Sequence, residues 1–238
     1  IVAHVDPNPT VRGSGLQALE AAGIKVAHGL LQSEASEQMR PFLHWCTHRR
    51  PLVTVKLAVD INGSVDDRSD SPKRFTSSEC LDEVHALRKE CDAILVGVET
   101  VVRDDPSLTV RRVETHRQPL RVVLDPNQRT PSEAVLLNDG FETLVMGKGF
   151  SSLPRMLDQL GDREIQRLMV EGGPTTIASF LDQQLVDEFY LIRSDVTHQS
   201  PIPSNIDSQR LTSAGLFLTS TETWGEEVVE LWAKPQES

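Results

Sequence analysis

Apolar and polar residues alternate most regularly from Leu52 to Asp60. Val53, Val55, Leu57 and Val59 share one face and Thr54, Lys56, Ala58 and Asp60 the other, which is the period of a β-strand. On this pattern alone, Lys56 reads as a strand lysine that snorkels to an edge. Asn62-Gly63 predicts a turn and residues 66–74 a polar loop. Thr76-Ser77-Ser78 then offers a helix cap ahead of Leu81, Val84, Leu87 and Cys91 at helical spacing. A strand is expected over Ala93–Gly97, followed by a helical turn from Glu99 to Arg103 that runs into Asp104-Asp105-Pro106. Further strands are expected at Leu120–Leu124 and at Thr143–Met146, the second closed by Gly147-Lys148-Gly149. Val186–Ile192 reads as a strand, residues 194–213 carry no clear pattern, and Leu216–Leu218 with Val228–Trp232 predicts an antiparallel pair. Strands alternating with helices across residues 52–192 argue for an α/β fold with a mainly parallel sheet covered on both faces.

The stretch Leu168–Ser179 holds a strand, a glycine turn and a helix start in one run. Ile165, Leu168, Met169 and Val170 form the strand, and Gly172-Gly173 is expected to turn the chain through backbone angles closed to other residues. Pro174 suits the first helical position, Thr175 and Thr176 are expected to cap free N–H groups, and Ile177, Phe180, Leu181 and Leu185 continue as a helix. Such a helix start binds phosphate through its unpaired amides. A tight turn without a ligand is an equal reading of the same residues.

Before Leu52 the pattern is that of a βαβ unit. Ile1–His4 and Ile24–Ala27 read as strands around a helix at Gly13–Ala22, a second helix is expected over Ser33–Cys46, and Arg49-Arg50-Pro51 closes the segment. Alone this unit cannot bury both sheet faces, so we expect residues 1–46 to be the end of a domain whose start is absent, with a boundary near residue 47.

Composition narrows the function. With 38% hydrophobic and 25% charged residues the chain is globular, and no run reaches the length of a membrane span. A net charge of −11 argues against general nucleic-acid binding, so an anionic ligand must be held by a local group of cations. Cys46, Cys80 and Cys91 lack C-x-x-C spacing, which indicates neither a disulfide framework nor a metal site and favours a reducing compartment, the cytoplasm. The chain begins at Ile1 without a methionine, as expected of a fragment or a processed form.

The segments LVTVKLAVDINGSV, FTSSECLDEVHALRKECDAILVGVETVVRDDPSLTVR, LRVVLD and LMVEGGPTTIASFLDQQLVDEFYL, in this order, resemble the reductase domain of the bifunctional riboflavin-biosynthesis deaminase–reductase family. That resemblance implies a dihydrofolate-reductase-like α/β fold over residues 47–238. It also implies NADPH-dependent reduction of the ribosyl group of a ribosylamino-pyrimidine 5′-phosphate to a ribityl chain. Residues 1–46 resemble the end of the family's deaminase domain, but the H-x-E and P-C-x-x-C zinc elements do not occur in this chain, so no deamination is expected of it.

Matched residue by residue, the resemblance assigns Lys56 and Asp104 to catalysis. Lys56, Arg88, Leu108 and Arg111 fall on the substrate side, and Ala58, Thr100, Asp104 and the Glu171-Gly172-Gly173-Pro174-Thr175-Thr176 turn on the cofactor side. The cations fit a phosphorylated substrate in an acidic protein, and Asp105 reads instead as a tie for the turn before Pro106. Two departures stand out. In SPKRFTS, Arg74 replaces an aromatic; Arg74 or Lys73 is expected to offer charge to a cofactor phosphate, with a solvated loop as the other reading, and RSDVTHQSPIPSN lacks the family's A-P-K-x-x-G-G segment. Lys148, on its glycine-flanked tip, is expected to meet the 2′-phosphate that distinguishes NADPH from NADH. A homodimer is expected, with neither nucleic acid nor membrane as a partner. The competing readings are a catalytically silent scaffold and a reductase of another substrate on the same fold.

Overall fold

The structure, a computed structural model, describes residues 1–8, 11, 13–67 and 75–235 and forms two compact units, residues 1–52 with 157–166 and residues 53–156 with 167–238. In chain order the elements are α1 (Ser14–Ala21), α2 (Gln32–Gln38), α3 (Arg40–His48), β1 (Leu52–Val59), β2 (Ser64–Asp67), α4 (Ser78–Lys89), β3 (Ala93–Gly97), α5 (Val98–Asp104) and β4 (Leu120–Leu124). They continue with α6 (Val135–Asn138), β5 (Thr143–Met146), α7 (Leu153–Asp162), β6 (Arg167–Val170), α8 (Pro174–Asp182), β7 (Glu188–Arg193), β8 (Pro201–Pro203), α9 (Ser208–Ser213), β9 (Phe217–Trp224) and β10 (Glu227–Ala233).

The smaller unit departs from expectation in two places. Ile1–His4 and Ile24–Ala27 do not form strands; a single parallel bridge joins Val2 to His28. The helix expected over Ser33–Cys46 breaks at Met39, because Pro41 lies in the first turn of α3 and its ring cannot follow an unbroken helix. Within this unit the Trp45 indole N–H donates to the Gly161 carbonyl at 2.9 Å. A Cβ on Gly161 would strike the Arg49 backbone, so only glycine fits this approach.

The larger unit is built on an eight-stranded sheet in the order β5-β4-β3-β6-β1-β7-β10-β9. The pairings β5–β4, β4–β3, β3–β6 and β1–β7 are parallel, while β7–β10 and β10–β9 are antiparallel. β1 is central, so its alternation does not separate core from solvent. Val53, Val55 and Val59 are buried, and so is Thr54, whose hydroxyl donates to Glu188 at 2.8 Å. Only Lys56 and Ala58 on that face are partly open. Among the candidate caps, Ser77 starts α4: its Oγ accepts from the Cys80 N–H, and its own hydroxyl and N–H donate to Glu227 on β10. The apolar face of α4, with Cys80, Val84 and Leu87, joins Ile94, Val96 and Val123 in the core. The unpatterned stretch 194–213 contains β8 and α9, and β8 pairs with β2 in a separate two-stranded sheet.

Candidate active site

A cleft of about 840 Å³ opens in the larger unit where β1, β3 and β6 end, lined by Lys56, Ala58, Arg88, Thr100, Asp104, Leu108, Arg111 and the Glu171–Pro174 turn. Ligands of parallel α/β sheets bind at this carboxyl end, since strands there hand the chain over to loops and helix N-termini. The cleft therefore unites eleven of the candidate residues from separate segments: Lys56, Ala58, Arg88, Thr100, Asp104, Leu108, Arg111, Glu171, Gly172, Gly173 and Pro174.

Its centre is an ion group. Arg88 donates Nε and Nη2 to the two oxygens of Glu171 at 2.5 and 2.9 Å, and Lys56 Nζ lies 3.2 Å from Glu171 Oε2. Burial alone would raise the Glu171 pKa, but Arg88 and then Lys56 overcome it and hold the carboxyl down at about 2. Glu171 is thus a fixed carboxylate that aims two cations from the head of the glycine turn. Arg88 is committed further, with Nη1 on the Thr109 carbonyl at 3.4 Å. Two cations against one carboxylate leave the group net positive, which suits an anionic ligand in a protein of net charge −11.

The glycine turn works differently from the sequence expectation. Gly173 is extended (φ −67°, ψ 174°), and neither glycine has a positive φ. What Gly172 supplies is space, since a Cβ there would lie 2.7 Å from Thr176 Cβ. A Cβ on Gly97, at the end of β3, would come within 2.5 Å of Thr176 Oγ1. Thr176 thus packs between two glycines, and no side chain caps α8, so its first-turn amides stay available. Around Gly173 the case is reversed: nothing lies within 4 Å of where its Cβ would be. Open space at the N-terminus of a nine-residue helix fits a cofactor diphosphate.

Thr100 and Asp104 line the cleft from α5. Burial raises the Asp104 carboxyl above its ordinary value; Arg103 opposes the shift and Asp66 on β2 adds to it. Arg103 itself holds Asp66 at 2.5 Å. Asp105 ends α5 in the left-handed region and accepts the Val135 N–H at 2.8 Å, a tie to a distant segment rather than within the turn before Pro106, and it also lines the cleft. Thr175 is exposed at the helix start and outside the cleft lining, and Lys148 is exposed and not brought to the cleft. Lys73 and Arg74 lie outside the described residues.

Sequence reasoning missed His85, which lines the cleft from α4. The signal was present: His85 precedes Arg88 by three residues, one turn of the same helix.

The fold is that of dihydrofolate-reductase-like α/β proteins. A dihydrofolate reductase of Enterococcus faecalis shares it at a TM-score of 0.51 and 12% identity, over 78% of this chain and 97% of that one. The chain belongs to the family described as RibD C-terminal domain, which matches residues 51–195. The riboflavin biosynthesis protein RibD of Aquifex aeolicus is 39% identical over 209 residues, 79% of this chain and 58% of that protein. This chain thus spans less than two thirds of the length of that relative. A 2,5-diamino-6-ribosylamino-4(3H)-pyrimidinone 5′-phosphate reductase of Archaeoglobus fulgidus is 37% identical over 58% of this chain and 78% of its own length. The RibD structure of Acinetobacter baumannii superposes with a TM-score of 0.88 at 27% identity, over 99% of this chain and 72% of that one.

Proposed function

We propose that this chain is an NADPH-dependent reductase that converts the ribosyl group of a ribosylamino-pyrimidine 5′-phosphate to a ribitylamino chain. The observation that carries the reading is the Lys56–Glu171–Arg88 group, placed in one cleft with the open N-terminus of α8. A nicotinamide held there would supply the hydride for C1′ of the substrate. The chain's own part is to hold and polarise. The α8 amides and the space over Gly173 receive the diphosphate, and Thr100 and Asp104 offer further polar contacts from α5. Glu171 orients Lys56, whose Nζ stabilises negative charge, or delivers a proton, at the ribosyl oxygen as the ring opens. Leu108 and Arg111 bound the substrate side of the cleft.

We assign residues 1–46 to the end of a deaminase-like domain, supported by the superposition with the Acinetobacter baumannii RibD structure over 99% of the chain. Residues 47–238 carry the reductase. A homodimer fits the edge strand β9, where Phe217 and Leu218 are 53% and 51% exposed, and light scattering on the purified chain tests it. Three free, buried cysteines accord with a reducing compartment such as the cytoplasm. No helix among the described residues is long and apolar enough to cross a membrane.

The direct test is turnover. The purified chain with NADPH and 5-amino-6-(5-phosphoribosylamino)uracil, or its undeaminated counterpart, is expected to consume NADPH and form the ribityl product. NADPH binding without consumption on either substrate would leave a silent scaffold. NADPH is expected to bind more tightly than NADH. Equal affinities in the wild type would refute the preference.

A further inference from the structure

His85 is 3% exposed and lies on the cleft wall one helical turn before Arg88. Its Nδ1 accepts the backbone N–H of Arg111 at 3.2 Å, which assigns the ring proton to Nε2. This contact is one of several that hold the loop 107–111. Arg121 donates to the Ser107 carbonyl at 3.0 Å, Arg88 to the Thr109 carbonyl at 3.4 Å, and Gln118 brackets Val110 with bonds of 2.7 and 2.9 Å. Within the loop Leu108 is left-handed at φ 52°, an unfavourable conformation for a side chain with a Cβ, so the loop needs such restraint to persist. Arg111 extends from this clamped backbone into the cleft, with Nη1 on Ser107 Oγ at 2.8 Å.

The imidazole is kept in the accepting form by its surroundings. Burial lowers its pKa most, Arg88, Arg111 and Arg112 lower it further, and Glu171 opposes them, leaving it at about 4. A protonated ring would instead turn an N–H toward the Arg111 amide and bring a fourth positive charge among three guanidiniums. The geometry therefore joins two tasks in one neutral side chain: it packs α4 against the cleft and fixes where Arg111 leaves the backbone.

We propose that His85 is a positioning residue that sets Arg111 for the anionic group of the substrate, acting through the Nδ1 bond to the Arg111 amide. The identity of that anion as the substrate 5′-phosphate rests on the reductase reading; the positioning of an anion-binding arginine does not.

The test compares His85→Asn, whose Oδ1 falls close to the place of Nδ1, with His85→Leu and His85→Gln, which do not offer an acceptor there. His85→Leu is expected to raise the KM for the phosphorylated substrate about tenfold, the equivalent of one lost hydrogen bond. Its kcat and NADPH affinity should change less than about twofold, and its KM for the dephosphorylated substrate should not move. His85→Asn should recover most of the loss. In an Arg111→Ala background the His85→Leu effect should vanish. Should the leucine variant fail to fold, His85→Gln takes its place. Inorganic phosphate, titrated calorimetrically into the same variants without substrate, should weaken in the same order, which keeps the inference testable if the wild type does not turn over the pyrimidine. Equal losses in the asparagine and leucine variants, equal KM changes with and without the substrate phosphate, or no phosphate binding by the wild type would each overturn it.

Discussion

Arg88 and Glu171, 83 residues apart in the chain, meet as a two-pronged ion pair with only 12% and 6% of their side chains exposed. Removing the carboxylate strands a buried guanidinium, the costly way to break such a pair. Glu171→Gln is therefore expected to lose about 3–5 kcal/mol of stability and to release Lys56 from its orientation. Urea denaturation measures the first effect, and a variant as stable as the wild type would mean that solvent already relieves the pair.

The same contact makes stability depend on acid. The Glu171 pKa is lowered from 4.5 to about 2, so its contribution is fully present above the unfolded value and disappears as pH falls through the folded one. The loss is on the order of 3 kcal/mol. Wild type and Glu171→Gln should thus converge in stability between about pH 4.5 and about pH 2. Parallel curves across that window would remove the ion group as the cause.

Adjacent glycines should respond in opposite ways. Gly172→Ala forces a methyl to within 2.7 Å of Thr176 Cβ and is expected to cost about 1–3 kcal/mol of stability. Gly173→Ala meets open space at an ordinary φ and should leave stability within about 0.5 kcal/mol. Gly173→Asp should also fold yet lose NADPH binding, since bulk and negative charge then occupy the position proposed for the diphosphate. Retained NADPH affinity in that variant would move the cofactor elsewhere.

In the proposed function Lys56 serves the substrate, so Lys56→Met should keep NADPH affinity and should lose ~2–4 kcal/mol of transition-state stabilisation. Single-turnover rates at saturating cofactor measure it. A wild-type rate would reduce Lys56 to the counter-ion of Glu171.

Local periodicity made much of the larger unit legible. Period-two alternation marked β1 to within a residue, short apolar runs marked β3, β4, β5 and β7, and GG-P placed the start of α8 at Pro174. The helix α7 went unread although Leu153, Met156, Leu157 and Leu160 carry its period. A proline-containing first turn masked it. The expected strands near Ile1 and Ile24 failed for the converse reason: short apolar runs do not specify a partner, and among the described residues there only the Val2–His28 bridge formed.

What the sequence determined by itself was which residue types stand at the carboxyl ends of the strands, because strand period and helix-start chemistry are properties of neighbouring residues. Tertiary structure alone decided that β6 lies beside β1, so that Glu171 meets Lys56 and Arg88. It also decided that Thr176 fills the space between Gly97 and Gly172, and that His85 reaches the Arg111 amide. Those contacts join segments distant in the chain, and they arise only when strand order and backbone separation are set by packing the whole core.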